Sequence, residues 1–211
     1  ASDVYKRQDI CLAVGLDMSP PGFFPIIGGE DPKDMDFLRW KMLGITNPGY
    51  WAIECRRRME KYGTTERHLA KAKVACSKHG SLNPYATYRK VFTEEEVLNS
   101  PMVCDPLRLY EICATRDGAA AAILCSIDKA RQYTTKPIRV AGVGLGSSQF
   151  GDPTIRLGLL YAPANAEAPL LSESAMSARM AYEMAGVGPE DLDFVELPDN
   201  SSWHYLQYME T

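Results

Sequence analysis

Cys113 to Leu124 reads Cys-Ala-Thr-Arg-Asp-Gly-Ala-Ala-Ala-Ala-Ile-Leu, and the fold turns on how that stretch is read. From Asp117 to Ser126 four alanines and two branched residues follow a glycine, a pattern suited either to a central strand under close-packed helices or to a tightly packed helix. Upstream, Ile10 to Leu16 (ICLAVGL) reads as a buried strand of short apolar residues. Downstream, Ile138 to Leu145 reads as a second strand and Leu192 to Leu197 (LDFVEL) as a further buried one. Between those two lies an amphipathic helix, Glu173 to Ala185, with Ala175, Met176, Met180 and Met184 on its apolar stripe, Ser172 or Ser174 as cap and Gly186 as stop. Ser202 to Met209 opens another helix. Strand, helix, strand, helix spells an α/β layer architecture with parallel neighbours.

The segment between the first strand and the alanine run has a different character. Ser19 to Tyr50 is interrupted repeatedly by Pro20, Pro21, Pro25, Gly28, Gly29, Pro32, Pro48 and Gly49, which predicts a long surface excursion in which only Met35 to Leu43 forms a short helix. A helical hairpin follows. Its first helix, Trp51 to Tyr62, is stopped by Gly63; its second, capped by Thr64 or Thr65, runs to His79 and is stopped by Gly80. A third short helix starts at Thr93, where Thr93 and Glu96 make a capping box.

The whole chain has 211 residues, 23.4 kDa, 23 Lys+Arg against 27 Asp+Glu and 45% hydrophobic residues, a globular composition that excludes dominant disorder. A net charge of −4 gives no overall drive toward nucleic acid or anionic membrane. The six cysteines form no CxxC pair and read as reduced thiols of an intracellular protein. The longest apolar run, Ala119 to Cys125, is far too short to span a bilayer, and no basic region precedes an apolar signal core. A soluble, cytoplasmic protein is expected, and the glycosylation triplet Asn200-Ser201-Ser202 is accidental. The polar octet Ala1 to Gln8 reads as a foreign leader.

Met59 to Gly63 (MEKYG), His68, Asn83-Pro84-Tyr85, the CATRDGAAAAIL run and Asp191 to Leu197 (DLDFVEL) resemble, in order and spacing, the thiolase superfamily. The likeness is greatest to the branch holding the thiolase part of sterol carrier protein X and bacterial lipid-transfer proteins. It covers nearly everything from Asp9 to Thr211. The resemblance implies two similar α/β halves with a loop domain, about residues 19–112, folded over an acyl-CoA. Residues 9–135 are then the end of the first half, with Asp9 to Met18 a late strand and Ala114 to Tyr133 its closing strand and helix. Residues 136–211 open the second half, with Phe150 to Leu171 a connecting loop. It further implies a nucleophilic cysteine upstream and Gly-His-Pro and Cys-x-Gly motifs downstream; none of the three occurs here, so the chain reads as an internal fragment. Coenzyme A is then a substrate and no cofactor is needed. A homodimer is expected at full length, with a small CoA-binding subunit as a further partner, and neither nucleic acid nor membrane.

Candidate site residues follow from the same alignment of motifs. Cys113 falls where many thiolases have a serine lining the CoA channel, with Arg116 and Asp117 beside it; the competing reading is a buried thiol next to a structural aspartate. Arg67, Lys71 and Lys78 share one side of the second hairpin helix, with Lys73 close by, and could attract CoA phosphates, or form a solvated face. Arg56, Arg57 and Arg58 are flanked by Glu54 and Glu60 and read as self-neutralising. His68, Cys76 and His79 lack a fourth metal ligand, so capping or packing is expected of both histidines. Gly142-Val143-Gly144-Leu145-Gly146 has no helix following it and is not a dinucleotide fingerprint. After the strand matched by DLDFVEL, thiolases place Asn or His, whose side chain holds a catalytic water; here Pro198 stands at that position without a donor. Asp199, Asn200, His204 and Tyr205 are candidates to replace it, against the plainer reading of a capped helix start. Three functions remain open: a thiolase-like acyl-CoA enzyme of lipid or steroid side chains, a non-catalytic lipid-transfer or acyl-CoA-binding subunit, and a retro-aldol lyase with a small CoA-binding partner.

Overall fold

The computed structural model describes residues 9–19, 42, 44, 46–147 and 173–210. The leader over 1–8, the short helix over 35–43 apart from Met42, and the connecting loop over 150–171 lie outside the described residues. What is described is an α/β arrangement with two main regions, a helical unit built on residues 46–113 and a β ribbon, and a separate helix with the segment packed on it.

In the helical unit, α1 (Asn47–Tyr62) starts at Thr46 with Pro48 in its first turn, where a missing N–H costs nothing. It stops at Gly63, whose φ of 68° lets its N–H turn back to Met59 O at 2.9 Å. Pro48, Trp51, Ala52 and Cys55 recur at helical spacing and are the buried face. The next helix, α2 (Glu66–Ser81), is capped by Thr65 and buries Leu69, Ala70, Ala72 and Ser77. It does not stop at Gly80: that residue stays helical and the cap falls at Leu82. A Cβ at Gly80 would lie 3.5 Å from Tyr88 O, an ordinary contact, and the residue has no left-handed φ that would end the helix. The short α3 (Glu94–Leu98) has the expected reciprocal box, with Glu96 N–H donating to Thr93 Oγ1 at 3.1 Å and Thr93 N–H to Glu96 Oε2 at 2.9 Å.

Two small strands, β2 (Met102–Cys104) and β3 (Leu107–Arg108), pair antiparallel and lead into a 3₁₀ turn, Leu109–Glu111. Far along the chain, α6 (Ser202–Met209) returns to pack against α1 and α2. The main core joins Trp51, Ala52 and Cys55 of α1, Leu69 of α2, Leu107, Ile112 and Trp203 of α6; a second joins Ala70, Phe92 and Val97. Rim charges reinforce it: Arg58 with Glu210, Arg56 with Asp105, and Arg108 with Glu66 at 2.9 Å.

In the ribbon, the alanine run resolves as a strand, β4 (Gly118–Cys125), paired along its length with β1 (Ile10–Asp17) from Ile10 opposite Cys125 to Asp17 opposite Gly118. Two expectations are corrected here. The pair is antiparallel, and neither strand is buried: every residue of both is exposed, because no described element covers either face. Ser19 fastens one end, its N–H donating to Asp117 Oδ1 at 3.0 Å and its Oγ to Arg116 O at 2.9 Å. A four-residue helix, α4 (Ile127–Ala130), capped by Ser126, follows β4.

The expected strands at 138–145 and 192–197 do not form. Both segments lack a pairing partner among the described residues, and a strand's backbone groups need one. Leu192 to Leu197 is largely exposed, Phe194 to 80%. Residues 142–146 instead lie against the helix α5 (Glu173–Ala185): Gly146 N–H donates to Ser177 Oγ at 2.8 Å, and a Cβ at Gly142 or Gly144 would fall 2.2 Å from Ala181 O or 1.8 Å from Ser177 O. These glycines serve close approach of two backbones. The helix ends at Gly186, φ 71°, as its sequence predicts, but Met180 and Met184 of its apolar stripe are exposed.

Candidate functional site

Residues far apart in sequence meet where the end of the 3₁₀ turn touches the start of α6. Ile112 and Ser201 form an antiparallel bridge, and Cys113 N–H donates to Asn200 O at 2.9 Å. This seam places Cys113 beside the Pro198–Asn200 segment. On the α2 side, Cys76 meets the Asp199 carboxylate: burial first, then the charge and hydrogen bond of Asp199, push the Cys76 thiol up to about 11 against Lys73. Burial also raises Cys113, again with Asp199 adding and Lys73 opposing. Both thiols therefore stay protonated near neutral pH, which suits them as neutral lining and unfits them as nucleophiles. Four side chains, Cys76, Cys113, Asp199 and Lys73, thus share one electrostatic neighbourhood, and α2 supplies half of them.

The other expected residues spread out from this seam. His204 is half-buried; its Nδ1 lies 2.9 Å from Ser201 Oγ, its ring stands edge-on to Trp51 with centroids 4.9 Å apart, and its N–H donates to Ser201 Oγ in the helix cap. That is the capped helix start, with the imidazole held in packing. Tyr205 lines a groove of about 500 Å³ between α1, α2 and α6, together with Arg58, Tyr62, His68 and Lys71. Of the cationic stripe, Lys71 faces this groove, Arg67 is drawn toward Glu94 of α3 at 3.2 Å, and Lys78 is exposed further along α2. Lys73 does not line this groove and lies over the Tyr88 and Phe92 rings at 5.3 and 5.6 Å. Arg116 is exposed, its carbonyl holding Ser19, and Asp117 braces the start of β4. His68 caps its own helix, Nδ1 accepting the Thr65 N–H at 3.1 Å, and His79 lies exposed. Among the described residues no three His, Cys, Asp or Glu side chains gather as a metal site. No helix there is long and apolar enough to cross a membrane.

Two features escaped the sequence reading. Cys76 is a neighbour of Asp199, which no local pattern announces. Glu111, 2% exposed, is a buried carboxyl whose only local signal is its spacing from Arg108, whose N–H it accepts at 2.9 Å.

The class of this chain follows from comparison with known proteins. The acetyl-CoA acetyltransferase of Methanothermobacter thermautotrophicus is 34% identical over 192 residues, 91% of this chain and 47% of the relative. Sterol carrier protein 2 of Bos taurus is 34% identical over 150 residues, 68% of this chain and 26% of the relative. Among solved structures, an Ltp2-ChsH2(DUF35) aldolase superposes with a TM-score of 0.75 at 24% identity, over 96% of this chain and 51% of that one. No family model matches. The chain belongs to the thiolase superfamily, on the side of the sterol carrier protein thiolases. It spans less than half the length of the curated relatives it matches.

Proposed function

We propose that this chain handles an acyl-CoA thioester of a lipid or steroid side chain in a thiolase-like carbon–carbon cleavage, with ordinary thiolysis weakened at Pro198. The observation that carries the reading is the seam itself, in a chain 34% identical to an acetyl-CoA acetyltransferase: Cys113 and the Pro198–Asn200 segment adjoin against α2. In this reading residues 19–112 form the loop domain over the ligand, and residues 136–211 open a second half. Cys113 lines the pantetheine arm as a neutral thiol, Arg116 stands at the channel mouth, and Arg67, Lys71 and Lys78 draw in the phosphates. Of the three cations Lys71 is best placed, because it faces an open groove, whereas Arg67 must first part from Glu94. Asn200 and His204 are the residues proposed to replace the missing donor. Asn200 has the advantage of lying in the seam beside Cys113, while His204 must leave Ser201 to act.

In thiolysis a cysteine thiolate attacks the 3-oxo carbon, the bond to the α-carbon breaks to release acetyl-CoA as an enolate that takes up a proton, and the acyl group left on the cysteine as a thioester passes to the thiol of a second CoA. Loss of one oxyanion donor costs about 3 kcal/mol, or a hundredfold and more in rate. Slow thiolysis with retained acyl-CoA binding is therefore expected in a chain of the length of its relatives, with Pro198→His raising the rate and Asn200→Ala or His204→Ala lowering it. Fast thiolysis that survives both alanine changes would refute the assignment. In that longer protein a homodimer is expected, read by light scattering.

A second reading is favoured by the superposition on an aldolase assembly: retro-aldol cleavage of a 3-hydroxyacyl-CoA with a small CoA-binding subunit. It needs no donor at Pro198 for thiolysis. Release of a carbonyl product from the 3-hydroxy substrate without added CoA separates it from the first. Acyl-CoA binding with neither reaction leaves the non-catalytic binding subunit.

A further inference from the structure

Glu111 closes the 3₁₀ turn and is almost wholly out of water. Its Oε2 accepts the Arg108 N–H, but its Oε1 is buried with no hydrogen-bond partner. A carboxylate with one oxygen left bare in an apolar site is costly, and the neutral acid much less so. Burial accordingly pushes its pKa up to about 7, against the Arg108 N–H and guanidinium, with Glu66 adding to the rise.

The charged groups around it are few. From α2 comes Glu66, already held by Arg108 at 2.9 Å; from α1 comes the Cys55 thiol, itself raised to about 12 by burial and by Glu111. The acids of α3, which also packs on this turn, are engaged away from it: Glu94 with Arg67 and Glu96 with Lys90, while Glu95 is exposed. From α6, the His204 imidazole is turned to Ser201. Among the described residues the Arg108 guanidinium is the cation that favours the ionised form, but it is hydrogen-bonded to Glu66 and leaves the second oxygen of Glu111 without a partner.

The two residues after Glu111 are those that make the seam, through the Ile112–Ser201 bridge and the Cys113 to Asn200 bond. On the other side of the seam, Ser202 Oγ is likewise buried with no partner. Each side of the seam thus buries one polar oxygen without a partner. We propose that Glu111 is a proton-operated latch on this seam: protonated, it lets the turn seat against the start of α6; ionised, it draws the turn toward water and frees the Pro198–Asn200 segment. The latch is a property of the fold, and only its bearing on catalysis rests on the acyl-CoA reading.

The test is backbone amide exchange on the full chain without ligand, at about pH 5.5 and about pH 8.5, each rate divided by its intrinsic value. Protection of the Cys113 and Tyr205 amides is expected to fall by about tenfold toward the higher pH, and that of the Gly186 amide on α5 to stay constant. In Glu111→Gln the fall disappears. If that variant does not fold, a carboxyl-carbon NMR titration of the unaltered chain decides: the Glu111 resonance and the Cys113 amide should move with one shared midpoint. Constant protection at Cys113, a fall that persists in Glu111→Gln, an equal fall at Gly186, or separate midpoints would each overturn the latch.

Discussion

The helical unit and the β ribbon invert what their compositions lead one to expect. α1 and α2 are crowded with charge, yet Leu69, Leu107 and Cys55 at their junction are fully buried. β1 and β4 are almost entirely apolar or small, yet expose Leu12, Val14, Leu16 and Ile123, Leu16 to 77%. Burial is a relation between elements and not an attribute of a segment. The helices meet each other, β3 and α6 with apolar faces, whereas each strand of the ribbon has the other along one edge and, among the described residues, nothing above or below.

The widest gap between the two regions should appear on truncating leucines. Leu69→Ala should lower the unfolding free energy by roughly 2–5 kcal/mol, as buried leucines do, while Leu12→Ala shifts it by less than about 0.5 kcal/mol. Urea denaturation of the two variants checks this. Equal losses would break the comparison and mean that the ribbon is covered in solution.

Next in size is the effect of Glu111, which tests whether the helical unit carries an electrostatic burden the ribbon lacks. The folded-state value of about 7 stands above the ordinary 4.5. Below the ordinary value both states are protonated and nothing is lost; as pH rises from 4.5 to about 7 the unfolded chain ionises first, and stability falls before levelling off. Glu111→Gln should remove a penalty on the order of 3 kcal/mol above neutrality and change little in acid, measured as melting temperature against pH. A parallel pH profile in the variant would count against it.

Gly142→Ala and Gly144→Ala probe the close approach to α5, which belongs to neither region. With Cβ atoms falling on carbonyl oxygens, each should cost roughly 1–3 kcal/mol and unprotect the Gly146 amide. Unchanged amide exchange at Gly146 would mean the segment does not lie there. A smaller loss is expected at Thr93→Ala, which removes one side of the α3 box and should cost about 1 kcal/mol by denaturant titration. A loss no larger than that of Leu12→Ala would mean that α3 contributes little to the helical unit.

Local physics made much of the helical unit legible beforehand. Gly63, Gly186 and the Thr93–Glu96 box act within one turn of chain, so residue type and spacing suffice to place them. The alanine run left strand and helix open, and only its pairing with β1 settled the matter. Ile138 to Leu145 and Leu192 to Leu197 have strand composition without strand partners, and composition cannot supply one. The use of the glycines of 142–146 is set by α5, more than thirty residues on, and no local pattern announces it. The seam was half legible: Cys113 and the Pro198–Asn200 segment were singled out from the family resemblance, whereas Cys76 and Glu111 enter it only through packing.

The ion pair between Arg58 and Glu210 joins residues 152 apart in the chain. Trp203, which completes the core that Trp51 begins, comes almost as late. At about 5–20 residues per second of translation, α1 waits roughly 8–30 s on the ribosome before α6 is made. Throughout that interval the Trp51 face is open to whatever else is nearby, so the nascent chain, more than the finished one, is where a chaperone has something to hold.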